Sequence, residues 1–245
     1  MKKNFKNLLL VAVLIAACFG CKKDDDNSNN PSVANFAISG DNEFAPRAVV
    51  FSNQSLNATS YLWNFGDGQT STAENPNHVF NAGGTYNVTL TATNSVGQNV
   101  VNKTVVIKNA PTKLKVTSLI LTNIPFLNSS GAGWDISNGP DVYFKLSDDA
   151  STAYFTSGGI ATDLVASTLP VTFITGFPFT IINLDYNYTM EFWDQDSPDA
   201  DDYMAGFYFK VRTKMPTDGS LYPATIVMQS ATNGLNFTLN VEWLP

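Results

Sequence analysis

Beyond position 21 this chain of 245 residues contains no cysteine, and it has one histidine, His78. The lack of cysteine excludes disulfides, thiolate nucleophiles and cysteine zinc sites from everything downstream of Cys21. Basic residues are also scarce: 14 Lys plus Arg against 21 Asp plus Glu give a formal net charge of -7. A surface that tracks phosphates needs the opposite balance, so nucleic acid is excluded as a partner. No apolar run after the N-terminal segment approaches the roughly twenty residues that span a bilayer. Stability must therefore come from packed cores, and 44% hydrophobic and 12% aromatic content over this length suits one or two domains of about 100 residues each.

Helical periodicity is missing as well. What is present is short alternation bounded by Gly, Asn, Asp and Pro. Tyr86, Val88, Leu90 and Ala92 alternate with Asn87, Thr89, Thr91 and Thr93, and Phe237, Leu239, Val241 and Trp243 alternate with Thr238, Asn240 and Glu242. One face of each such strand is buried and the other wet. The predicted fold class is all-β, with two tandem β-sandwich domains divided where the strand pattern breaks at Asn109, Ala110 and Pro111.

The first residues carry an address. Met1 to Lys6 is basic, Leu8 to Ala17 is apolar, and Cys18 and Cys21 precede the polar stretch KKDDDNSNNPS. About ten apolar residues are too few to cross a membrane and read as a secretory signal over 1–20. A cysteine directly after a short apolar region resembles the lipobox of bacterial lipoproteins, whose thiol is acylated and becomes the mature first residue. Cys18 in IAAC fits the small-residue pattern. Cys21 leaves Lys22, Lys23, Asp24, Asp25 and Asp26 beside the lipid, which resembles the surface-export signal of Bacteroidetes lipoproteins, and Cys21 is the preferred lipidation site. That implies a lipid anchor in a bacterial outer membrane with the protein exposed at the surface. Residues 21–32, without large apolar side chains, cannot offset the entropy of ordering and read as a flexible stalk.

Residues 33–110 contain YLWNFGDGQTSTAENPNHVFNAGGTYNVTLTATNSVG. The Trp63-x-Phe65-Gly66-Asp67-Gly68 stretch, then Asn75-Pro76 with Phe80, then a Tyr86-x-Val88 strand, resemble a PKD (polycystic kidney disease) domain, an immunoglobulin-like sandwich. Trp63 and Phe65 leave one strand on the same side and fill the core, while Gly66, Asp67 and Gly68 turn the chain. His78 stands where that family has a turn histidine, and a serine–histidine triad elsewhere then lacks its base. The resemblance implies a spacer or interaction module.

Residues 112–245 hold five aspartates in two groups: Asp135 and Asp141 in WDISNGPDVYFKL, and Asp194, Asp196 and Asp202 in EFWDQDSPDADDYMAG. Each group sits where a strand meets a polar loop. Gathered at one end of a sandwich, five carboxylates would repel one another, whereas a hard cation taking six to eight oxygens converts them into a site. The separation of Asp135 from Asp141, the strand that follows, and the Asp-x-Asp-x5-Asp spacing resemble the two calcium loops of the C-two domain, the calcium-dependent module first recognised in protein kinase C. The resemblance implies a Greek-key sandwich and assigns Ca2+ to those five residues, with Asp201 left open and Asp199 a solvated loop tip. Asp148 and Asp149 fall at the other end of the strand as turn residues.

A glycosidase would need two opposed carboxylates. Glu191 and Glu242 lie on polar faces of alternating strands and the aspartates are crowded, so no catalytic residue is assigned. The expected function is that of a cell-surface lipoprotein whose calcium-stabilised sandwiches act in binding or adhesion, with a glycan or a surface protein as ligand. An accessory carbohydrate-active enzyme and a purely structural surface module are the alternatives. If Cys21 carries the lipid, Cys21→Ala shifts the protein from membrane to soluble fractions and Cys18→Ala leaves it attached; the reverse pattern in cell fractionation moves the lipid to Cys18.

Overall fold

The computed structural model describes residues 30–127, 130–133, 139–149, 153–196 and 200–245. Cys18 and Cys21 lie outside them, as does Asp135. Among the described residues no helix is long and apolar enough to cross a membrane.

Seven strands form the first sandwich. Strands β1 (Phe36–Ser39), β2 (Arg47–Asn53) and β5 (Asn77–Phe80) make one sheet in the order β1-β2-β5; β3 (Ser60–Asn64), β4 (Thr70–Ser71), β6 (Gly84–Thr93) and β7 (Gln98–Ile107) make the other in the order β4-β3-β6-β7. All pairings are antiparallel. The alternation expected in β6 holds: Val88, Leu90 and Ala92 are buried and their neighbours are not. Between the sheets lie Phe36, Phe51, Trp63, Phe65 and Phe80. Trp63 has Phe36 edge-on at 5.1 Å, and its indole N–H donates to the Ala73 carbonyl at 2.9 Å, so the large ring is buried with its polar atom satisfied.

The turn motif acts locally. Asn64 Oδ1 accepts the Gly66 N–H at 2.9 Å. His78 stacks on Phe65 with ring centres 4.0 Å apart and meets Asp67 Oδ2 through Nε2 at 2.7 Å. Burial raises the Asp67 pKa, but the hydrogen bonds with His78 and from the Gln69 N–H outweigh it and hold the carboxyl below its usual range. The sole histidine is thus a packed structural residue.

The second sandwich faces a four-stranded sheet against a five-stranded one. Strands β9 (Val142–Asp148), β10 (Ala153–Thr156), β13 (Asn187–Asp194) and β14 (Asp202–Lys210) run in the order β10-β9-β13-β14. Opposite lie β8 (Lys113–Asn123), β11 (Val171–Phe173), β15 (Thr225–Gln229) and β16 (Asn236–Leu244) in the order β11-β8-β16-β15, with β12 (Phe179–Ile181) also on β8. Strand β11 pairs with Leu119 to Leu121 and β12 with Leu114 to Val116, so two short strands lie end to end along one edge of β8. Phe144, Leu146, Tyr188, Met190 and Phe192 of the first sheet meet Leu119, Leu121, Phe237 and Leu239 of the second in one core.

A loop of the second sandwich reaches back to the first. The Ala48 N–H donates to the Gly219 carbonyl at 2.9 Å, Tyr222 Oη donates to the Ala45 carbonyl at 2.7 Å, and the Phe44 and Tyr222 rings meet edge to face at 5.7 Å. Gly219 has φ +83°, and a Cβ there would stand 2.6 Å from the Ala48 nitrogen, so both conformation and space select glycine. Trp63→Ala is expected to destabilise the first sandwich by about 3–5 kcal/mol, the range for removing a fully buried large aromatic, measured by urea unfolding of residues 22–245.

Candidate functional site

Strand register decides what stands at the ends of β9, β13 and β14. Asp194, the last residue of β13, is opposite Val142 on one side and Asp202 on the other, and Asp141 immediately precedes Val142. Three of the five sequence-predicted aspartates therefore reach the same end of three neighbouring strands, with Asp196 two residues beyond. Side-chain contacts tie them together. The Asp141 N–H donates to Asp194 Oδ1 at 2.7 Å, the Gln195 N–H donates to the Asp141 carbonyl at 2.9 Å, and Asp141 Oδ1 accepts the Asp163 N–H at 2.8 Å. Asp194 is fully buried, Asp141 and Asp196 are half-buried, and Asp202 is exposed.

A buried carboxylate needs charge-assisted partners, and the bond from Asp141 supplies one. An ionised carboxylate accepts at about four lone-pair positions, so neither Asp141 nor Asp194 is barred from a cation by the bond it makes. The donors are carboxylate oxygens, the type a hard cation such as Ca2+ takes. Among the described residues, however, no group of three Asp, Glu, His or Cys side chains is close enough to hold a metal ion by itself.

The neighbouring acids divide by role. Asp201 Oδ2 accepts the Tyr143 hydroxyl at 2.5 Å; burial first, and then that carboxylate, push the Tyr143 pKa well above its usual value. Asp149 Oδ2 accepts the Asn187 side-chain amide at 3.0 Å at the other end of β9, a turn contact. Asp199 lies outside the described residues. Glu191 and Glu242 do not come together: Glu242 is on β16, paired with Lys115 at 2.8 Å, whereas Glu191 is on β13 in the opposite sheet.

Sequence reasoning passed over the outer face of the β10-β9-β13-β14 sheet. Across β9, β13 and β14, Tyr143, Trp193 and Tyr203 form one row, and Lys145, Glu191 and Gly206 the next. Tyr208 follows opposite Thr189. The alternation of Tyr143 with Phe144 and of Trp193 with Phe192 was the signal available, but DYMAGFYFK mixes both faces because the ladder slips between Phe192 and Trp193.

A cleft of about 180 Å³ lies at the junction of the sandwiches, lined by Phe44, Arg47, Leu221, Tyr222 and Trp243 among others. Its polar ring atoms are engaged within the protein: Tyr222 with Ala45, and the Trp243 indole N–H with the Pro223 carbonyl at 2.7 Å.

Residues 29–108 match the family model of the PKD domain, and this part of the chain is a PKD domain. Collagenase ColA of Bacillus cereus is 53% identical over 53 residues, 21% of this chain and 6% of the collagenase. The crystal structure of the PKD1 domain from the Vibrio cholerae metalloprotease PrtV matches at 33% identity with a TM-score of 0.29, covering 33% of this chain and 100% of that domain. A solved structure described under carbohydrate-binding modules of the β-sandwich superfamily aligns over 89% of this chain and 99% of its own at 13% identity and a TM-score of 0.32, a likeness too slight to carry anything about ligands. The chain spans less than a tenth of the curated relatives' length, 6% of ColA and 7% of PrtV.

Asp194→Ala leaves the half-buried Asp141 N–H without its acceptor and is expected to cost about 1–3 kcal/mol. Asp194→Asn retains an acceptor oxygen and costs less, a ranking that urea unfolding checks.

Proposed function

We propose that this chain is a cell-surface lipoprotein, anchored in the outer membrane through Cys21, that acts in binding or adhesion. Its PKD domain serves as the spacer, and the second sandwich is a C-two-like module stabilised by Ca2+. The observation behind the metal reading is the register that places Asp141, Asp194 and Asp202 at the same end of β9, β13 and β14. Asp135, Asp141, Asp194, Asp196 and Asp202 would hold the ion, which supplies charge neutralisation and cross-links loops that otherwise repel. Such an ion rigidifies the loop end of the module. The PKD match supports the spacer role, since it covers the first sandwich alone, and a glycan or a surface protein is the ligand class.

Melting of residues 22–245 tests the metal. A ligand that binds only the native state stabilises it by about 2.7 kcal/mol at a hundred times its Kd, on the order of 5–15 °C for a domain of this size. Millimolar calcium is expected to raise Tm, with magnesium weaker because it demands tighter octahedral geometry, and Asp141→Asn with Asp194→Asn removes the shift. Identical melting in calcium and in chelator would overturn the metal assignment.

A further inference from the structure

The outer face of the β10-β9-β13-β14 sheet is where aromatic surface goes unburied. Tyr208 is 79% exposed and Tyr203 50% exposed, on the same strand and on the same side of the sheet. Trp193 stands edge-on to Tyr203 at 5.5 Å. Lys145 Nζ lies 4.2 Å from the Trp193 ring centre and 5.2 Å from that of Tyr143. Tyr203 lies along the strand over Gly206, where a Cβ would come within 2.6 Å of its hydroxyl oxygen. The missing side chain at Gly206, the cross-strand partner of Glu191, is what lets the Tyr203 ring lie there. At about 3.3 Å per residue the two tyrosines lie roughly 15 Å apart along β14.

Tyr203 and Tyr208 present ring surface to solvent on one sheet face, and the polar groups set between them narrow the occupant. A pyranose ring has an apolar C–H face that rests on an aromatic ring and a rim of hydroxyls that need donors and acceptors. Rows that alternate rings with Lys145 and Glu191 offer both. A lipid surface or an apolar protein patch would strip water from both Lys145 and Glu191, at a cost. An extended peptide adding to the edge of β14 meets an edge already engaged, since the Asn233 amide donates to the Gly206 carbonyl at 2.9 Å. An anionic glycan would face Glu191, Asp201 and Asp202 on a chain of net charge -7.

From this we infer that Tyr203 and Tyr208, with Trp193, Lys145 and Glu191 beside them, form a platform that binds a neutral glycan chain. This rests on the binding half of the proposed function and does not require the metal. Tyr203 and Tyr208 take the sugar faces, while the Lys145 ammonium, which sits over the Trp193 ring, donates to hydroxyls and the Glu191 carboxylate accepts from them.

Affinity electrophoresis of residues 22–245 through gels containing neutral polysaccharides (xylan, galactomannan, mixed-linkage glucan or starch), with pectin as the anionic comparison, tests the platform. At least one neutral polysaccharide is expected to retard the protein, and pectin is not. Tyr208→Ala and Tyr203→Ala should each weaken retardation on the order of tenfold, the loss on truncating a well-used aromatic contact. Val227→Ala, at an exposed residue of the other sheet, should leave it unchanged. Retardation that survives both tyrosine variants, with each folded by circular dichroism, overturns the platform but keeps the binding function. Binding to a surface protein with no neutral glycan retarded does the same. Failure to bind any glycan or protein overturns both, and the calcium melting shift is read separately from all of these.

Discussion

The position of β13 between β9 and β14 governs everything functional in the second sandwich. Its residues alternate strictly: Tyr188, Met190 and Phe192 face the core, and Thr189, Glu191 and Trp193 face outward. Because the side-chain period of a strand is two, a slip of one residue would exchange the sets, sending three large apolar side chains into water and a carboxylate into the core. The same register that fills the core also brings Asp194 to the strand's end beside Asp141 and aligns Trp193 with Tyr143 and Tyr203. Two unrelated surfaces, one acidic and one aromatic, are consequences of one packing requirement.

Asp194 illustrates how such an end is held. It is fully buried at the end of β13, where one of its oxygens closes the Asp141 backbone, and the Asp141 carbonyl in turn receives Gln195. The two strand ends are thus laced in both directions. A metal ion at this place would add to a pre-existing structural contact rather than create the loop geometry. Asp201 differs from its neighbours because its partner, the Tyr143 hydroxyl, belongs to the outer face, so the acidic end and the aromatic row share one hydrogen bond.

Much of the fold was visible in the sequence where residue type alone decides position. Trp63, Phe65 and the Gly66-Asp67-Gly68 turn were legible, as was the alternation ending in Trp243, because one-sided burial writes itself as a period of two. The positions of Asp141, Asp194 and Asp202 beside strand ends were legible, since each adjoined a recognisable strand. The outer face was not legible. The slip beside Trp193 pulls Met204 and Ala205 both into the core, and no local rule distinguishes a bulge from ordinary alternation there. Strands β11 and β12 escaped for another reason: each has three residues and exists only because β8 offers an open edge. The reach of Gly219 and Tyr222 back to the first sandwich spans more than 170 residues of chain and leaves no periodic trace.

That reach changes what kind of object the two sandwiches make. Two domains joined by one short covalent link can swivel about it, whereas here the link between β7 and β8 is supplemented by a second attachment at Ala45 and Ala48. Two separated attachments define a brace. Turning the second sandwich far about the covalent link would break the Gly219 and Tyr222 hydrogen bonds to the first.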